Sequence, residues 1–376
     1  MVLTPQNVGA KGVPYFIPVQ DPPAGTAKLP ENGKLPKLFT PLKIRGVTLP
    51  NRVWVSPMCQ YSGKEGFTGP WHFVHYGALT TRGEQPGFTM TEVAAVADIG
   101  RLTPEDLGIW LDAHIKGLRK IGGWTDRVVG PDGRPFSDSP DDTIVPHALT
   151  LAEIAQIRKQ FVVGVQRAVL AGFDIIELHF AHGYLVSSFM SPATNQRTDQ
   201  YGGSFENRVR LALEIVEDVR AVLPDSTPLF VRISATDWLH KNPDYHGANW
   251  NVEESAQLAV LLADRGVDVL DVSSGGIHIA QNVKSSPAYQ TPLAKHIKKV
   301  VGDRLLVSTV GSIRSAKAAE EILNGGKDAE DPPLDLVALG RPFQKNPGVV
   351  WEWASELETR VKVASQIGWG FGLSSF

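Results

Sequence analysis

The chain of 376 residues has one cysteine, Cys59, so no disulfide can close within it and a reducing compartment is expected. It has no apolar run of membrane-spanning length. Met1 to Asn7 lack both the basic start and the apolar core of a secretion signal. A soluble, cytoplasmic protein without a membrane partner is the expectation. An excess of charge is absent too: the formal net charge of -3 gives no electrostatic reason to expect nucleic acid. With 42% hydrophobic residues, the chain can build one large core or two ordinary domains.

Residues 1–36 hold seven prolines and little periodicity, which suits an extended arm lying over a domain that occupies 37–376. From residue 37 onward, short runs rich in β-branched residues alternate with amphipathic helical stretches. The strand candidates are Val53–Met58, Phe88–Val96, Ile175–Phe180, Leu229–Ser234, Val267–Ser273, Leu305–Val310 and Leu334–Leu339. Thr150 with Glu153, and Asn251 with Glu254, have capping-box spacing ahead of two helices, and Gly172 and Gly266 stop them. Between those signals Leu151, Ile154, Ile157, Phe161, Val165 and Val169 recur at helical steps. Polar and glycine residues gather at the strand C-terminal ends. That distribution favours an α/β fold of the (β/α)8 TIM-barrel kind over an open sheet. One beat is missing. After the second strand candidate comes a helix expected around Pro104–Ile121, then Gly122 to His147, a loop whose best apolar pair is Val128-Val129.

The third strand candidate runs into His179-Phe180-Ala181-His182-Gly183-Tyr184. Two imidazoles and a phenol at a strand end can hold a polar oxygen and deliver a proton to it. A metal pair and two structural histidines are the alternatives, although zinc wants further ligands that are not at hand in the sequence. The first strand candidate leads into Ser56-Pro57-Met58-Cys59-Gln60-Tyr61-Ser62 at the same face, where Cys59 is a nucleophile, a structural thiol or a modulator of a cofactor. Arg232 ends an apolar strand and needs a partner, either a barrel carboxylate such as Glu177 or a bound anion. Gly311 and Gly340-Arg341 follow the last two strands, where barrel enzymes cradle phosphates.

With these residues in place, the chain resembles the Old Yellow Enzyme flavin oxidoreductases, in the fungal form of the thermophilic-like class III ene-reductases. The matching pieces include Leu38-Phe39-Thr40-Pro41-Leu42-Lys43-Ile44, Ser56 to Tyr61, Trp71-His72-Phe73-Val74-His75-Tyr76-Gly77, Arg101 to Asp106 and His179 to Leu185. The most specific piece is Ser191-Pro192 followed by Asn195, Arg197, Asp199, Tyr201-Gly202-Gly203-Ser204 and Glu206-Asn207-Arg208. The resemblance implies a TIM barrel that holds FMN, is reduced by NADPH and passes hydride to an electron-poor alkene. It implies that His179 and His182 bind the substrate carbonyl, that Tyr184 donates the proton and that Tyr61 touches substrate. Ser56, Pro57, Met58, Cys59 and the backbone near Val93 would line the flavin ring, with Cys59 tuning its potential. Arg232 would face the reduced flavin's charge, and Gly311, Gly340 and Arg341 its phosphate. Fungal secondary metabolism is the setting this suggests.

Three departures stand out. The family's third strand, worded close to Gly-Ile-Gln-Leu-Ala-His-Ala-Gly-Arg-Lys, is absent, and with it a glutamine for the flavin's pyrimidine edge. Val93 stands where alanine is common. A homodimer is an assembly the resemblance allows, but Gly370 to Phe376 lack the arginine that relatives extend into a neighbouring subunit. The missing strand keeps two other readings in view: a redox-neutral isomerase or cyclase, and a non-catalytic binding protein.

Overall fold

A short antiparallel hairpin, β1 (Leu42–Ile44) and β2 (Val47–Leu49), plugs one end of a curved parallel sheet. It is fixed there by the Gly46 amide donating to Ser226 O and by Arg45 on Asp268, both at strand N-terminal ends. The computed structural model describes residues 8–9, 16, 19–30, 33–81, 86–101, 103–111, 128–134, 145–326 and 330–371.

The remaining elements follow in chain order. They are β3 (Val53–Val55), α1 (Pro70–Thr81), β4 (Ala94–Ala95), β5 (Leu107–Gly108), β6 (Val129–Gly130), β7 (His147–Ala148) and α2 (Leu151–Leu170). Next come β8 (Ile176–Phe180), α3 (Leu185–Met190), α4 (Phe205–Arg220), β9 (Leu229–Ser234), α5 (Val252–Ala263) and β10 (Val269–Ser273). The last are α6 (Thr291–Val301), β11 (Leu306–Thr309), α7 (Ala316–Asn324), β12 (Leu336–Leu339), α8 (Arg341–Lys345) and α9 (Val349–Glu356).

Six of the strands form one parallel sheet in the order β3-β12-β11-β10-β9-β8; helical crossovers join the consecutive strands from β8 to β12, and β12 pairs with β3, the first of the six in the chain. Every residue of β9, β10 and β12 is buried, because a parallel sheet wrapped by helices has no wet face. Alternate side chains go to opposite sides. Trp54, Phe230, Val269, Leu336 and Ala338 fill the lumen floor above the hairpin, while Leu178, Val231, Val272, Val307 and Val337 meet the helices. This is the α/β barrel architecture expected from the strand rhythm.

The helix signals hold in detail. Thr150 accepts from the Glu153 amide and Glu153 returns to the Thr150 amide, a complete capping box, whereas Asn251 caps α5 without the reciprocal bond to its own amide. Gly172 and Gly266 take φ of +89° and +79°, a region that costs glycine nothing. In the stripe on α2, Ile154, Ile157 and Val165 are buried, but Leu151 is exposed at the first turn.

Two expectations need correction. Phe88–Val96 is not a continuous strand. Its start runs beside β3 through the Gly87, Val55 and Met90 amides and a bridge between Val55 and Thr89, and then it leaves the sheet. Ala94–Ala95 pairs with Leu107–Gly108 instead. The helix expected around Pro104–Ile121 is also absent over its described part. Asp106 accepts from the Thr103 amide and Thr103 Oγ1 from the Glu105 amide, local bonds that compete with a helix. The remainder, 112–121, lies outside the described residues.

Between this departing segment and β8 no strand of the six-stranded sheet occurs among the described residues; β5, β6 and β7 pair only in two small ribbons, β4 with β5 and β6 with β7. The space is a cavity of about 870 Å³. Its outer wall is closed where the β4–β5 ribbon lies on α2, so closely that a Cβ on Gly164 would stand 2.8 Å from Val96 Cγ1. Within the N-terminal stretch, residues 25–28 pair with residues 360–362. Gly25 and Lys28 amides donate to Lys362 O and Arg360 O, and Lys362 donates back to Thr26 O. No helix among the described residues is long and apolar enough to cross a membrane.

Candidate functional site

β8 aims Glu177 and His179 into the lumen and then ends in a left-handed turn, with His182 at φ +61° and Gly183 at φ +78°. A side chain on Gly183 would place Cβ 2.0 Å from Gly276 O, so only glycine allows the β8 and β10 loops to touch. The turn folds the His182 ring to 5.1 Å from that of His179 and brings Tyr184 to 5.5 Å. The His182 amide donates to Ser234 Oγ at 2.9 Å, and its Nε2 lies 2.7 Å from Ser273 Oγ. Ser273 Oγ also donates to Gln290 Oε1 at 3.3 Å, which accepts from Ser274 at 2.5 Å as well. The serine has one proton for two acceptors, so the His182 tautomer follows where that proton goes: given to Nε2, it leaves the ring's own proton on Nδ1, free to donate outward.

Both ring nitrogens of His179 are buried without a hydrogen-bond partner among the described residues. Burial, then the neighbouring His182 and Arg232, hold its pKa well below the usual imidazole value. Burial and Arg232 lower that of His182 to about 3. Both rings are therefore neutral at ordinary pH. The Tyr184 phenol, 40% exposed, is pushed up to about 12, first by burial and then by Cys59, Tyr61 and Asp106.

Below the clamp lies a buried charge cluster. Strand register puts Arg232 beside His179 on one side and Asp271 on the other. Arg232 Nη1 donates to Ser56 Oγ at 3.0 Å, and its Nε is 3.2 Å from Asp271 Oδ2, an ion pair out of line for a hydrogen bond. The carboxylate expected for Arg232 was Glu177; the structure gives Asp271. One guanidinium cannot compensate two buried carboxylates. Glu177 keeps the proton, its pKa pushed up by burial and then by Asp271.

The loop after β3 is held from outside the barrel. Glu92 Oε2 accepts the Gln60 amide at 2.9 Å, the Glu92 amide donates to Tyr76 Oη, and Glu92 Oε1 is 2.9 Å from His72 Nε2. Gly69 N–H donates to His72 Nδ1, so that proton sits on Nε2, facing Glu92. Cys59 is half-buried, and burial followed by the Asp106 and Glu92 charges pushes its thiol up. It is not an activated nucleophile. Tyr61, 53% exposed at φ +49°, reaches the thiol with its hydroxyl.

At the next two strand ends, Gly311 at φ +116° and Ser312 at φ +54° meet Arg341, whose Nη2 donates to Ser312 Oγ at 3.3 Å. A Cβ on Gly340 would lie 3.2 Å from Met58 Sδ, so a bare backbone here runs from the Ser56–Met58 loop towards the arginine. A ring-binding end with the buried Arg232, joined to a glycine and arginine end, fits FMN. Val93 is exposed in the wall of the cavity, away from the sheet.

Sequence reading found His179, His182 and Tyr184 because they share one local run. It missed Ser234, Ser273, Asp271 and the pair His72–Glu92, which come from other elements. The only available signal was their position at strand ends or, for His72, in a matching motif.

Residues 37–128 and 125–360 match the NADH:flavin oxidoreductase / NADH oxidase family, the match breaking where the strand is missing. An NADH:flavin oxidoreductase of Gibberella zeae is 42% identical over 409 aligned positions, covering 97% of this chain and 95% of the relative. Those positions outnumber the 376 residues here, so that relative carries residues this chain lacks. An NADPH dehydrogenase of a Geobacillus species is 38% identical over 89% of this chain and 99% of its own. Among solved structures, morphinone reductase in complex with tetrahydroNAD superposes with a TM-score of 0.67 at 25% identity, covering 86% of this chain and 92% of that one.

Proposed function

The chain belongs to the NADH:flavin oxidoreductase / NADH oxidase family, as an Old Yellow Enzyme relative that uses FMN and NAD(P)H, and on that premise we propose that it reduces the C=C bond of α,β-unsaturated carbonyl compounds. The observation that carries this reading is the neutral His179, its two ring nitrogens buried and unmatched beside His182 and Tyr184. A buried polar group without a partner costs about 1–3 kcal/mol, and a carbonyl oxygen is a partner that two imidazole N–H groups match.

When bound, FMN supplies the hydride chemistry, renewed by the nicotinamide. Ser56, Pro57, Met58 and Cys59, with the backbone near Val93, would lie along its ring. Arg232 would offer its charge there, tempered by Asp271, and Gly311, Gly340 and Arg341 would hold the phosphate. The protein's own work is on the substrate. His179 and His182 donate to the carbonyl oxygen and stabilise the negative charge that grows on it, each donor contributing roughly 3–4 kcal/mol by analogy with oxyanion holes. Tyr184 hands a proton to the α-carbon, and its raised pKa keeps that proton in place across neutral pH. Tyr61 lies on the exposed side of the mouth and contacts the substrate from there.

The missing strand favours one other reading, a redox-neutral isomerase or cyclase using the same clamp. NADPH consumption separates the two. Purified with FMN, the protein is expected to oxidise NADPH when given cyclohexenone. Replacing His179 and His182 together with alanine is expected to lower kcat/KM by at least ~10,000-fold, two lost donors at the figure above. Undiminished turnover in that variant would remove the histidines from the assigned role.

A further inference from the structure

The cavity between the departing β4 segment and β8 runs from the lumen floor at Leu49 to the clamp at His179 and Tyr184. Its volume, about 870 Å³, is within the range of roughly 300–1,000 Å³ that holds small organic ligands. Along the body of the cavity apolar side chains such as Val96, Phe161 and Ile175 predominate, and Asp98, Arg101 and Asp174 are also on the lining. Glu177 faces it from β8 and keeps its proton, so that wall adds no charge. At the mouth end the character changes to the two hydrogen-bonding side chains of the clamp. The space is thus one volume with an apolar body and a carbonyl-binding head.

We propose that this opening is a subsite for the hydrocarbon body of the substrate, so that the enzyme acts on enones carrying a long or polycyclic apolar group whose carbonyl end meets His179 and His182. The proposal rests on the functional reading above. In a complete barrel a strand would fill this volume. Here the missing strand converts barrel wall into binding surface, and the contact between Gly164 and Val96 keeps that surface covered on the outside. Small enones would use the clamp alone.

Calorimetric titration of the FMN-loaded protein with para-alkylphenols, from phenol to para-octylphenol, reads the subsite without turnover. The phenol oxygen takes the carbonyl's place and the alkyl chain enters the cavity. The dissociation constant is expected to fall about four-fold for each added methylene. Ala168→Phe, which puts a ring into the cavity from α2, should flatten that dependence while leaving phenol binding and cyclohexenone turnover unchanged. Phe161→Ala, which enlarges the cavity, should extend the dependence to longer chains and guards against misfolding of the first variant. A flat series in the wild-type protein, or a dependence that both variants leave unaltered, overturns the subsite while cyclohexenone turnover remains. Absence of both phenol binding and cyclohexenone turnover overturns the functional reading and the subsite with it.

Discussion

His182 depends on a serine for the direction in which it can donate. When Ser273 donates to Nε2, 2.7 Å from its Oγ, the ring presents Nδ1–H outward; without the hydroxyl the proton can occupy either nitrogen. Ser273→Ala is expected to weaken phenol binding about 3–10-fold, the worth of one net hydrogen bond, with little change in melting temperature. Equal affinity in the variant would show that the tautomer is set elsewhere. The two histidines also give the fold an acid limit. Unfolded imidazoles bind protons as pH falls through about 6.5, whereas folded His182 resists until about 3, and His179 is shifted in the same direction. Stability is therefore full above pH ~6.5 and falls by roughly 1.4 kcal/mol per pH unit for each histidine below it. Glu177 works in the opposite sense. Its folded value is raised from 4.5, so the stability it lends is complete below that pH and is lost as pH rises. Glu177→Gln should gain in melting temperature relative to wild type between pH 5 and 8, an interval chosen above the unfolded carboxylate value of about 4.3. A constant difference across it would show that Glu177 is ionised. These roles were only partly legible in the sequence. The clamp is a local run readable from side-chain chemistry, but Ser273, Asp271 and Glu92 act across strands, and their partners are set by register that the sequence does not state.

Among the elements, the turn after β8 carries the heaviest constraint. Gly183 combines φ +78° with a 2.0 Å approach to Gly276 O, whereas Gly203, at φ +80°, has nothing within 4 Å of an added Cβ. Gly203→Ala should cost about 1 kcal/mol through backbone conformation alone. Gly183→Ala must in addition push the β10 loop away and carry His182 with it. The expected result is loss of phenol binding in a protein that still melts cooperatively; binding within two-fold of wild type would show that the loops can part. Helix starts were readable because a cap is a short, local code, as at Thr150 and Glu153. The stretch from Pro104 misled for the same reason: its own polar side chains satisfy the backbone at Thr103 to Asp106 before a helix can begin. Phe88–Val96 has strand composition, yet a strand needs a paired neighbour, and past Met90 it finds none in the six-stranded sheet among the described residues.

At the scale of the molecule, β8 is an edge of the six-stranded sheet among the described residues. Ile176 N–H donates to Pro228 O, and the alternation of parallel pairing then sends the Glu177 and His179 amides to the opposite side, towards the cavity. In hydrogen exchange those two amides should be less protected than Leu178 and Phe180, which bond to β9; uniform protection along β8 would mean that the edge is covered. Barrel architecture was legible from the strand rhythm, and so was the absent beat. How the barrel accommodates that absence was not, since it depends on a ribbon of two-residue strands settling on α2.

The sheet has a temporal consequence as well. β3 comes first among the six strands, and its paired neighbour in the sheet is the last of them, β12. During synthesis, β3 can pair early with residues 87–90, but its other edge waits for nearly the whole chain before β12 emerges. Residues 25–28 wait longer still, for residues 360–362. The sheet therefore closes only when its last strand has been made.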